Sequence, residues 1–334
     1  MTEADLLSKM DGCVVVLGTG GTIAGRASRP DDLSGYVAGQ VAVADLVRDI
    51  PALASGLFEV EQVAQVDSKD MDLVVWQALV ARVAHHLARP EVVGVVVTHG
   101  TDTLEETAYL LQSVLKPRKP VVLTCAMRPA TALVPDGPQN LSDAVLLARR
   151  AGAKGVVAVC AAKVHSAFDV VKAHTYQVDA FDSGDAGPIG VVEHGQVRLF
   201  RAWPAFADTA DRETGVFDAS SVKRFLKATR LPRVEIVLSH AAADGLMVRC
   251  LLDHGLNQSP APLQGIVVAG TGNGTIHRSL LSALEDAMAA GVRVVRSTRC
   301  ARGWVSTDPT GIPDSDGLPP LKARLALMLN LLPG

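Results

Sequence analysis

A glycine-rich segment near the N-terminus carries two hydroxyl side chains. "LGTGGTIAG", residues 17–25, follows a short apolar run and contains Thr19 and Thr22. A dinucleotide-binding loop needs a third glycine that allows close packing of helix on strand, and Ile23 stands at that position. The acid expected about twenty residues later is also unconvincing. The segment therefore favours presentation of a hydroxyl, and a nucleotide-binding oxidoreductase, which would retain its cofactor on purification, is kept as an alternative.

A second segment repeats the arrangement of strand, polar loop and helix. "VVVTHGTDTLEETAY", residues 95–109, has Thr101 and Asp102 in its loop. In an open parallel sheet the carboxyl ends of the strands form the crevice that binds ligands, so Thr22, Thr101 and Asp102 are expected to lie close together. Backbone N–H groups at the two turns suit a developing oxyanion. His99 is expected to point to the opposite face and is not the predicted base.

A threonine hydroxyl is a weak nucleophile until another group accepts its proton. Tyr36 lies in "RPDDLSGYVAGQV", residues 29–41, which is typical of a mobile lid. Lys172 lies in "AFDVVKAHTYQVD", residues 167–179, where its ammonium could pair with Asp102. A partly desolvated lysine can take a proton at neutral pH. Both side chains are candidates to activate a threonine, although spacing alone does not select Lys172.

Short runs of Val, Ile and Leu alternate with helix-length amphipathic segments, which predicts an α/β fold with a parallel sheet covered on both faces. Helices are predicted at 104–115 and 320–332. The alternation breaks between about 197 and 232. We therefore expect a large N-terminal domain with a mostly parallel, Rossmann- or flavodoxin-like sheet and a smaller C-terminal α/β domain. The expected boundaries are 1–200, a linker at 201–230, and 231–334. The predicted strands are 13–17, 92–97, 121–125, 156–160, 234–239, 265–270 and 292–297.

The composition argues against several classes of partner. The 334-residue chain has a formal net charge of −3, which does not suggest a nucleic-acid surface or an anionic membrane as partner. No apolar run approaches the roughly 18 residues of a membrane-spanning helix. The five cysteines form no CxxC pair and the histidines show no metal-ligand spacing, so neither a metal nor a cofactor is expected. Without a signal-peptide pattern, the protein is expected to be cytoplasmic.

Six segments together resemble one enzyme family in order and spacing: "GTGGTIAG", "DSKDM", "THGTDTLEETAYLL", "AMRPATALVPDGPQNL", "FDVVKAHTYQVDAF" and "GNGTIHRSL". The chain is similar to the bacterial-type L-asparaginases, the family that also contains the glutaminase–asparaginases. The similarity extends over about residues 12–332. The first and third segments are highly specific in combination.

The resemblance implies hydrolysis of the side-chain amide of L-asparagine to L-aspartate and ammonia through an acyl-threonine. Thr22 would be the first nucleophile, and Tyr36 the lid residue that helps to activate it. Thr101, Lys172 and Asp102 would form a second group that activates the hydroxyl or water at the same carbonyl. No cofactor takes part in this scheme.

The resemblance also implies how the substrate is held. Ser68 would bind the α-carboxylate and Asp102 the α-ammonium, while Gly100 and Ala126 would line the pocket. Asn273 matches a position that reaches the neighbouring subunit's site, and the family is usually a homotetramer built from two intimate dimers. The expected substrate-binding residues are Ser68, Lys69, Gly100, Thr101, Asp102, Ala126 and Asn273.

Two positions depart from the family pattern. Lys69 stands where many relatives carry Gln or Glu, and a second positive charge near the substrate's ammonium would weaken binding unless Lys69 turns away. The intersubunit acid that orients the lid tyrosine has no clear equivalent among Asp308, Asp314 and Asp316. Three alternatives stay open: a dual glutaminase–asparaginase, the amide-hydrolysing subunit of a tRNA-dependent amidotransferase, and a non-catalytic amino-acid-binding protein.

Overall fold

The computed structural model describes residues 12–29, 31–32, 35–48, 50, 57–204, 216–255, 262–306 and 310–333. The chain divides into two compact units, residues 1–226 and 227–334. The predicted linker at 201–230 includes a helix, Ala219–Lys227, so that part of the connector is ordered secondary structure. The boundaries at 200 and 231 stay a prediction.

The first unit is an eight-stranded sheet with helices and a separate two-stranded ribbon. Its strands are β1 Cys13–Gly20, β2 Phe58–Val66, β3 Val92–Thr98, β4 Pro120–Thr124, β5 Gly155–Cys160, β6 Lys163–Ser166, β7 Val171–Lys172, β8 Phe181–Asp182, β9 Gly190–Glu193 and β10 Gln196–Leu199. Its helices are α1 Val43–Arg48, α2 Leu73–Ala88, α3 Leu104–Leu115, α4 Gly137–Ala148 and α5 Ala219–Lys227.

The order of strands in the large sheet is β10-β9-β6-β5-β4-β3-β1-β2. Five neighbouring strands of this order, β5, β4, β3, β1 and β2, run parallel to one another. The remaining strands, β6, β9 and β10, are antiparallel to their neighbours and form the other edge. This confirms the predicted mostly parallel sheet. The chain passes from β1 to one neighbour, β2, and then crosses to the other, β3. A change of direction of this kind opens a crevice at the carboxyl ends of the strands.

The central strands are apolar on both sides because helices cover both faces of the sheet. All eight residues of β1 are buried. Leu141 and Val145 of α4 pack with Val14 and Val96 on one face. Helix α2 contacts β2 and β3, and α3 contacts α2 and β5. By contrast, β2 is an edge strand that mixes apolar residues with Glu and Gln, and none of its nine residues is buried.

The second unit is a smaller α/β body with one parallel sheet in the order β11-β12-β13. Val248, Ile266 and Leu284 are among the buried residues of its core. A Cβ on Gly265 would lie 2.7 Å from Leu327 Cδ2, so glycine allows the last helix to pack closely on the middle strand. Its elements are β11 Arg233–Leu238, α6 Leu246–Gly255, β12 Leu263–Gly270, α7 Arg278–Ala289, β13 Arg293–Thr298 and α8 Pro320–Leu331. Among the described residues of both units, no helix is long and apolar enough to cross a membrane.

Candidate active site

The loops after β1 and β3 touch each other at the crevice. A Cβ on Gly21, whose φ is 79°, would lie 2.2 Å from the Cα of Gly100. Only glycine allows two backbones to approach so closely, and the positive φ independently favours it. Thr22 and Thr101 are the next residues in their loops, and each is at least 94% buried. The predicted convergence of the two threonine loops is therefore present.

Thr22 opens a short 3-10 turn, Thr22–Ala24, and shares a hydrogen bond of 2.7 Å between its Oγ1 and the phenolic oxygen of Tyr36. Tyr36 is returned to this point by an antiparallel backbone pair between Arg26 and Val37. A Cβ on Gly25 would lie 2.8 Å from Tyr36 Cδ2, so the ring packs over the turn. The proposed lid, residues 29–41, includes positions 30, 33 and 34, which lie outside the described residues.

Thr101, Asp102 and Lys172 form one hydrogen-bonded group. The Lys172 Nζ donates to Thr101 Oγ1 at 2.8 Å and to Asp102 Oδ1 at 2.5 Å. Thr101 Oγ1 lies 3.4 Å from the same carboxylate oxygen. The lysine side chain is 19% exposed, and Asp102 is 53% exposed. The Lys172 amine therefore lies within hydrogen-bond distance of both the Thr101 hydroxyl and the Asp102 carboxylate.

Ser68 supports the second loop from the segment after β2. Its Oγ accepts the Asp102 N–H at 3.2 Å, and its carbonyl oxygen accepts the Thr103 hydroxyl at 2.7 Å. A Cβ on Gly100 would lie 2.4 Å from Ser68 Oγ. Ser68 is 3% exposed. Its hydroxyl is therefore part of the wall beside Asp102, next to the position where the substrate's carboxylate is expected.

Lys69 turns towards two acids of its own segment. Its Nζ lies 2.5 Å from Asp70 Oδ2 and 3.2 Å from Asp67 Oδ2. Hydrogen bonds to Asp70 and Asp67 raise the pKa of Lys69 above its ordinary value, so it stays charged at neutral pH. The sequence predicts that Lys69 either weakens substrate binding or turns away. The contacts with Asp67 and Asp70 correspond to a side chain that turns away.

Ala126 follows β4 and packs in a small apolar cluster with Ile23 and Ala24 beside Thr22. Its loop is held by Asp136 and Asn140 of the "VPDGPQNL" segment, two residues for which sequence reasoning predicted no role. The Asp136 carboxylate accepts the N–H groups of the two residues after Ala126. The Asn140 side-chain amide donates to the carbonyl of Cys125, the residue before Ala126, at 2.9 Å. An aspartate four residues before a helix-buried asparagine could have suggested this loop support.

His99 directly follows β3 and is completely buried, and its backbone N–H donates to the Thr124 carbonyl of β4 at 2.9 Å. Its Nδ1 lies 2.7 Å from the Gly100 carbonyl oxygen, and its Nε2 has no hydrogen-bond partner within the described part of the chain. Burial lowers the pKa of His99 from 6.5 to about 4. The neutral ring bonds the backbone and makes no hydrogen bond to either threonine hydroxyl among the described residues.

Asn273 lies in the second unit. Its Nδ2 donates to Ser306 Oγ at 2.6 Å, and its Oδ1 accepts the Ser306 N–H at 2.9 Å. Among the candidates for the missing acid, Asp314 accepts the Asp316 N–H at 2.8 Å, and Asp308 lies outside the described residues. The role of Asn273 towards a neighbouring subunit stays a prediction. Across the described residues of both units, no cluster of metal-ligating side chains is present.

The first unit thus brings together two buried hydroxyls, a phenol, an amine and a carboxylate at the carboxyl ends of β1 and β3. Such a set can make a threonine attack a carbonyl carbon and can move the protons that the attack requires. The Gly21 N–H donates to the Val66 carbonyl and the Asp102 N–H to Ser68 Oγ, so an oxyanion would need other backbone N–H groups of the two glycine turns.

Comparisons with known proteins agree with this chemistry. Residues 13–205 match the family model "Asparaginase, N-terminal", and residues 233–333 match "Glutaminase/Asparaginase C-terminal domain". L-asparaginase 2 of Escherichia coli is 37% identical over 95% of this chain and 88% of its own length. A glutaminase-asparaginase of Pseudomonas fluorescens biotype A is 35% identical over 95% and 86%.

The fold also matches a solved structure. The crystal structure of a probable cytoplasmic L-asparaginase from Campylobacter jejuni superposes with a TM-score of 0.84 at 37% identity, over 96% of this chain and 95% of the other. The names of the relatives include both this cytoplasmic protein and a probable periplasmic one. With both family models matched in order and relatives aligned over nearly the whole sequence, this chain belongs to the asparaginase family.

Proposed function

We propose that the protein is an amidohydrolase that converts L-asparagine and water to L-aspartate and ammonia through an acyl-threonine intermediate. The observation that carries the proposal is the contact between the two loops. Gly21 and Gly100 touch, which brings the Thr22–Tyr36 pair beside the Thr101–Lys172–Asp102 group. A binding protein would need neither the buried amine nor the phenol on the hydroxyl.

In the first half-reaction, Thr22 Oγ1 attacks the side-chain carbonyl carbon and gives its proton to the Tyr36 oxygen, while the phenolic proton of Tyr36 passes on to the amide nitrogen. The carbonyl oxygen becomes an oxyanion held by backbone N–H groups. When the tetrahedral intermediate collapses, the C–N bond breaks and ammonia departs. In the second half-reaction, water attacks the acyl-threonine and the Thr101–Lys172–Asp102 group accepts its proton. The C–O bond to Thr22 then breaks, the proton taken from water returns to Thr22 Oγ1, and aspartate leaves.

Two groups orient the amino-acid end of the substrate in this proposal. Ser68 binds the α-carboxylate, and Asp102 pairs with the α-ammonium through its exposed oxygen. Gly100 and Ala126 line the pocket, and the Lys69 backbone contributes while its side chain stays with Asp67 and Asp70. A dual glutaminase–asparaginase is the second candidate, which the name of the Pseudomonas relative favours.

We further propose a homotetramer in which Asn273 of one subunit approaches the site of another, and a cytoplasmic location. The family resemblance supports the first, and the Campylobacter protein's name supports the second. Light scattering after gel filtration measures the mass of the assembly, with one chain at 35.0 kDa. Cell fractionation tests the location, and activity recovered in the periplasmic fraction would contradict it.

Ammonia release by the purified protein tests the function. L-asparagine, L-glutamine and D-asparagine are compared, with Thr22→Ala as the inactive variant and Thr19→Ala as the matched control. Thr19 lies near the end of β1, three residues before Thr22, and donates its hydroxyl to the Thr98 carbonyl, so its variant should keep the chemistry. Release from L-asparagine that disappears only in Thr22→Ala supports the proposal. No release from any substrate refutes it, and full activity of Thr22→Ala shows that the nucleophile is another residue.

A further inference from the structure

A buried carboxylate on α3 contacts the main chain of Lys172. Glu105 is 6% exposed, and its Oε2 accepts the Lys172 backbone N–H at 2.6 Å, across 67 positions of sequence. Glu105 lies in the first turn of α3, where the helix dipole favours a negative charge. The reaction sequence proposed above makes no use of this residue.

The strand that carries Lys172 gives it little support of its own. β7 has two residues, and its pairing with β8 consists of Val171 opposite Asp182 and Lys172 opposite Phe181. A central strand such as β1, in comparison, is paired on both sides over most of its length. One further ribbon bond follows, from the Ala173 N–H to the Ala180 carbonyl at 2.8 Å, whereas the Lys172 N–H itself donates outside the ribbon, to Glu105.

One short segment holds both ends of the lysine. Thr101 and Asp102 bind its Nζ, and Glu105, in the first turn of the helix that this loop begins, binds its peptide nitrogen. The distance between the two ends of Lys172 is thus matched to the separation of groups on a single loop and helix turn. If the peptide nitrogen moves, Nζ moves relative to Thr101 as well.

We propose that Glu105 is a positioning residue that fixes Lys172 so that its Nζ meets the Thr101 hydroxyl. The inference rests on the proposed function for its kinetic consequences and on the 2.6 Å contact for its structural ones. The contact is made to a peptide N–H, so an acceptor oxygen at the correct reach is the required property. An amide oxygen at the same reach can accept this N–H as a carboxylate oxygen does.

Two conservative variants of Glu105 test separately the position of its acceptor oxygen and its negative charge. Glu105→Gln keeps an acceptor oxygen at the same distance and loses the charge, while Glu105→Asp keeps the charge and withdraws the oxygen by one methylene. If positioning is the role, Glu105→Asp lowers kcat for L-asparagine about 10- to 100-fold, because displacement by an ångström can cost that much. Glu105→Gln keeps at least a third of kcat, and KM changes less than about twofold in both. The reverse order, with Asp active and Gln impaired, would overturn the proposal.

A matched control and a double variant exclude a general loss of folding. Glu106→Asp makes the same change one position along the helix and should leave kcat within about twofold of the parent. In a Lys172→Ala background, adding Glu105→Asp should cost nothing further, because the two residues act as one unit. An equal fold-loss in both backgrounds would show that Glu105 acts on stability and not through Lys172.

A crystal structure of Glu105→Asp gives a readout that does not depend on activity. The distance from Lys172 Nζ to Thr101 Oγ1, which is 2.8 Å in the parent, should exceed hydrogen-bonding range. A distance that stays at 2.8 Å refutes the positioning role even if the enzyme assay has failed. Absence of ammonia release by the parent protein would instead refute the proposed function, so the two failures are distinguishable.

Discussion

The hydroxyl of Thr22 and the phenol of Tyr36 share a hydrogen bond of 2.7 Å, although the two residues are 14 positions apart in the segment that follows β1. The turn that begins at Thr22 leads into a segment whose backbone pairs with itself at Arg26 and Val37, and this returns Tyr36 to its partner. The proposed nucleophile therefore has a proton-transfer partner supplied by the fold of its own loop.

Replacing Tyr36 by phenylalanine should lower kcat for L-asparagine by about 10²- to 10³-fold, within the range of one general acid–base group. The ring still packs over Gly25, so the melting temperature should change by less than about 2 °C. Steady-state kinetics and a thermal melt on the same preparation check both statements. A kcat within threefold of the parent would show that the phenol does not activate Thr22.

Replacing Lys69 by glutamine should change KM for L-asparagine less than about threefold. The Lys69 ammonium is held by Asp67 and Asp70. Removing it should therefore relieve no charge repulsion on the substrate's ammonium. The double variant Asp67→Asn/Asp70→Asn is the informative partner, because it removes both acids that hold the lysine and should raise KM through like-charge repulsion. A KM for Lys69→Gln that falls fivefold or more would mean that the lysine faces the bound substrate.

The sequence was sufficient for the main strands and for the meeting of the two threonine loops, and the reason is physical. Continuous apolar runs such as β1 have few alternatives to a covered parallel sheet, and loops at the same ends of such strands must meet. The predicted helix at 104–115 has the bounds of α3. The edge strand β2 was not predicted, because its charged, half-exposed pattern carries no continuous apolar signal.

The hydrogen bonds that hold Lys172 could not be predicted from sequence patterns. The lysine is on a strand of two residues, and its three partners come from a segment about 70 positions earlier. Glu105 had only a local explanation, the favourable start of a helix, and nothing in its spacing indicates a bond to the Lys172 backbone. Family resemblance selected Lys172, and only the folded chain shows what holds it.

His99 should make the protein less stable in acid over a defined range of pH. Burial lowers the pKa of His99 from 6.5 to about 4. Between pH 6.5 and pH 4, His99 therefore binds a proton in the unfolded chain but not in the folded one. The free energy of unfolding is unaffected above pH 6.5 and falls as pH drops towards 4. The full difference is about 3 kcal/mol at 1.36 kcal/mol per pKa unit.

Denaturant unfolding of the parent and of His99→Asn at pH 7.5 and pH 4.5 measures this contribution. The asparagine amide can donate to the Gly100 carbonyl but does not titrate, so the parent should lose more stability than the variant on acidification. An equal loss in both proteins would show that the His99 ring is protonated inside the fold.

The cysteines should divide by their burial when the native protein meets a thiol reagent. Cys125 and Cys160 are buried with their sulfurs 3.2 Å apart, whereas Cys250 and Cys300 are exposed. The hydrogen bond to Cys160 and burial raise the pKa of Cys125 well above its ordinary value, and burial also raises that of Cys13. Since the thiolate is the reactive form, these thiols should be protected.

Brief treatment with iodoacetamide at pH 8, followed by peptide mass spectrometry, should label Cys250 and Cys300 and leave the other three unmodified. Denatured protein, in which all five cysteines react, is the control for peptide recovery. Cys125 immediately precedes Ala126 in the pocket wall, so labelling of Cys125 would require β4 to open at its carboxyl end. Modification of Cys125 at the rate of Cys250 would therefore contradict the rigid wall on which the proposed site depends.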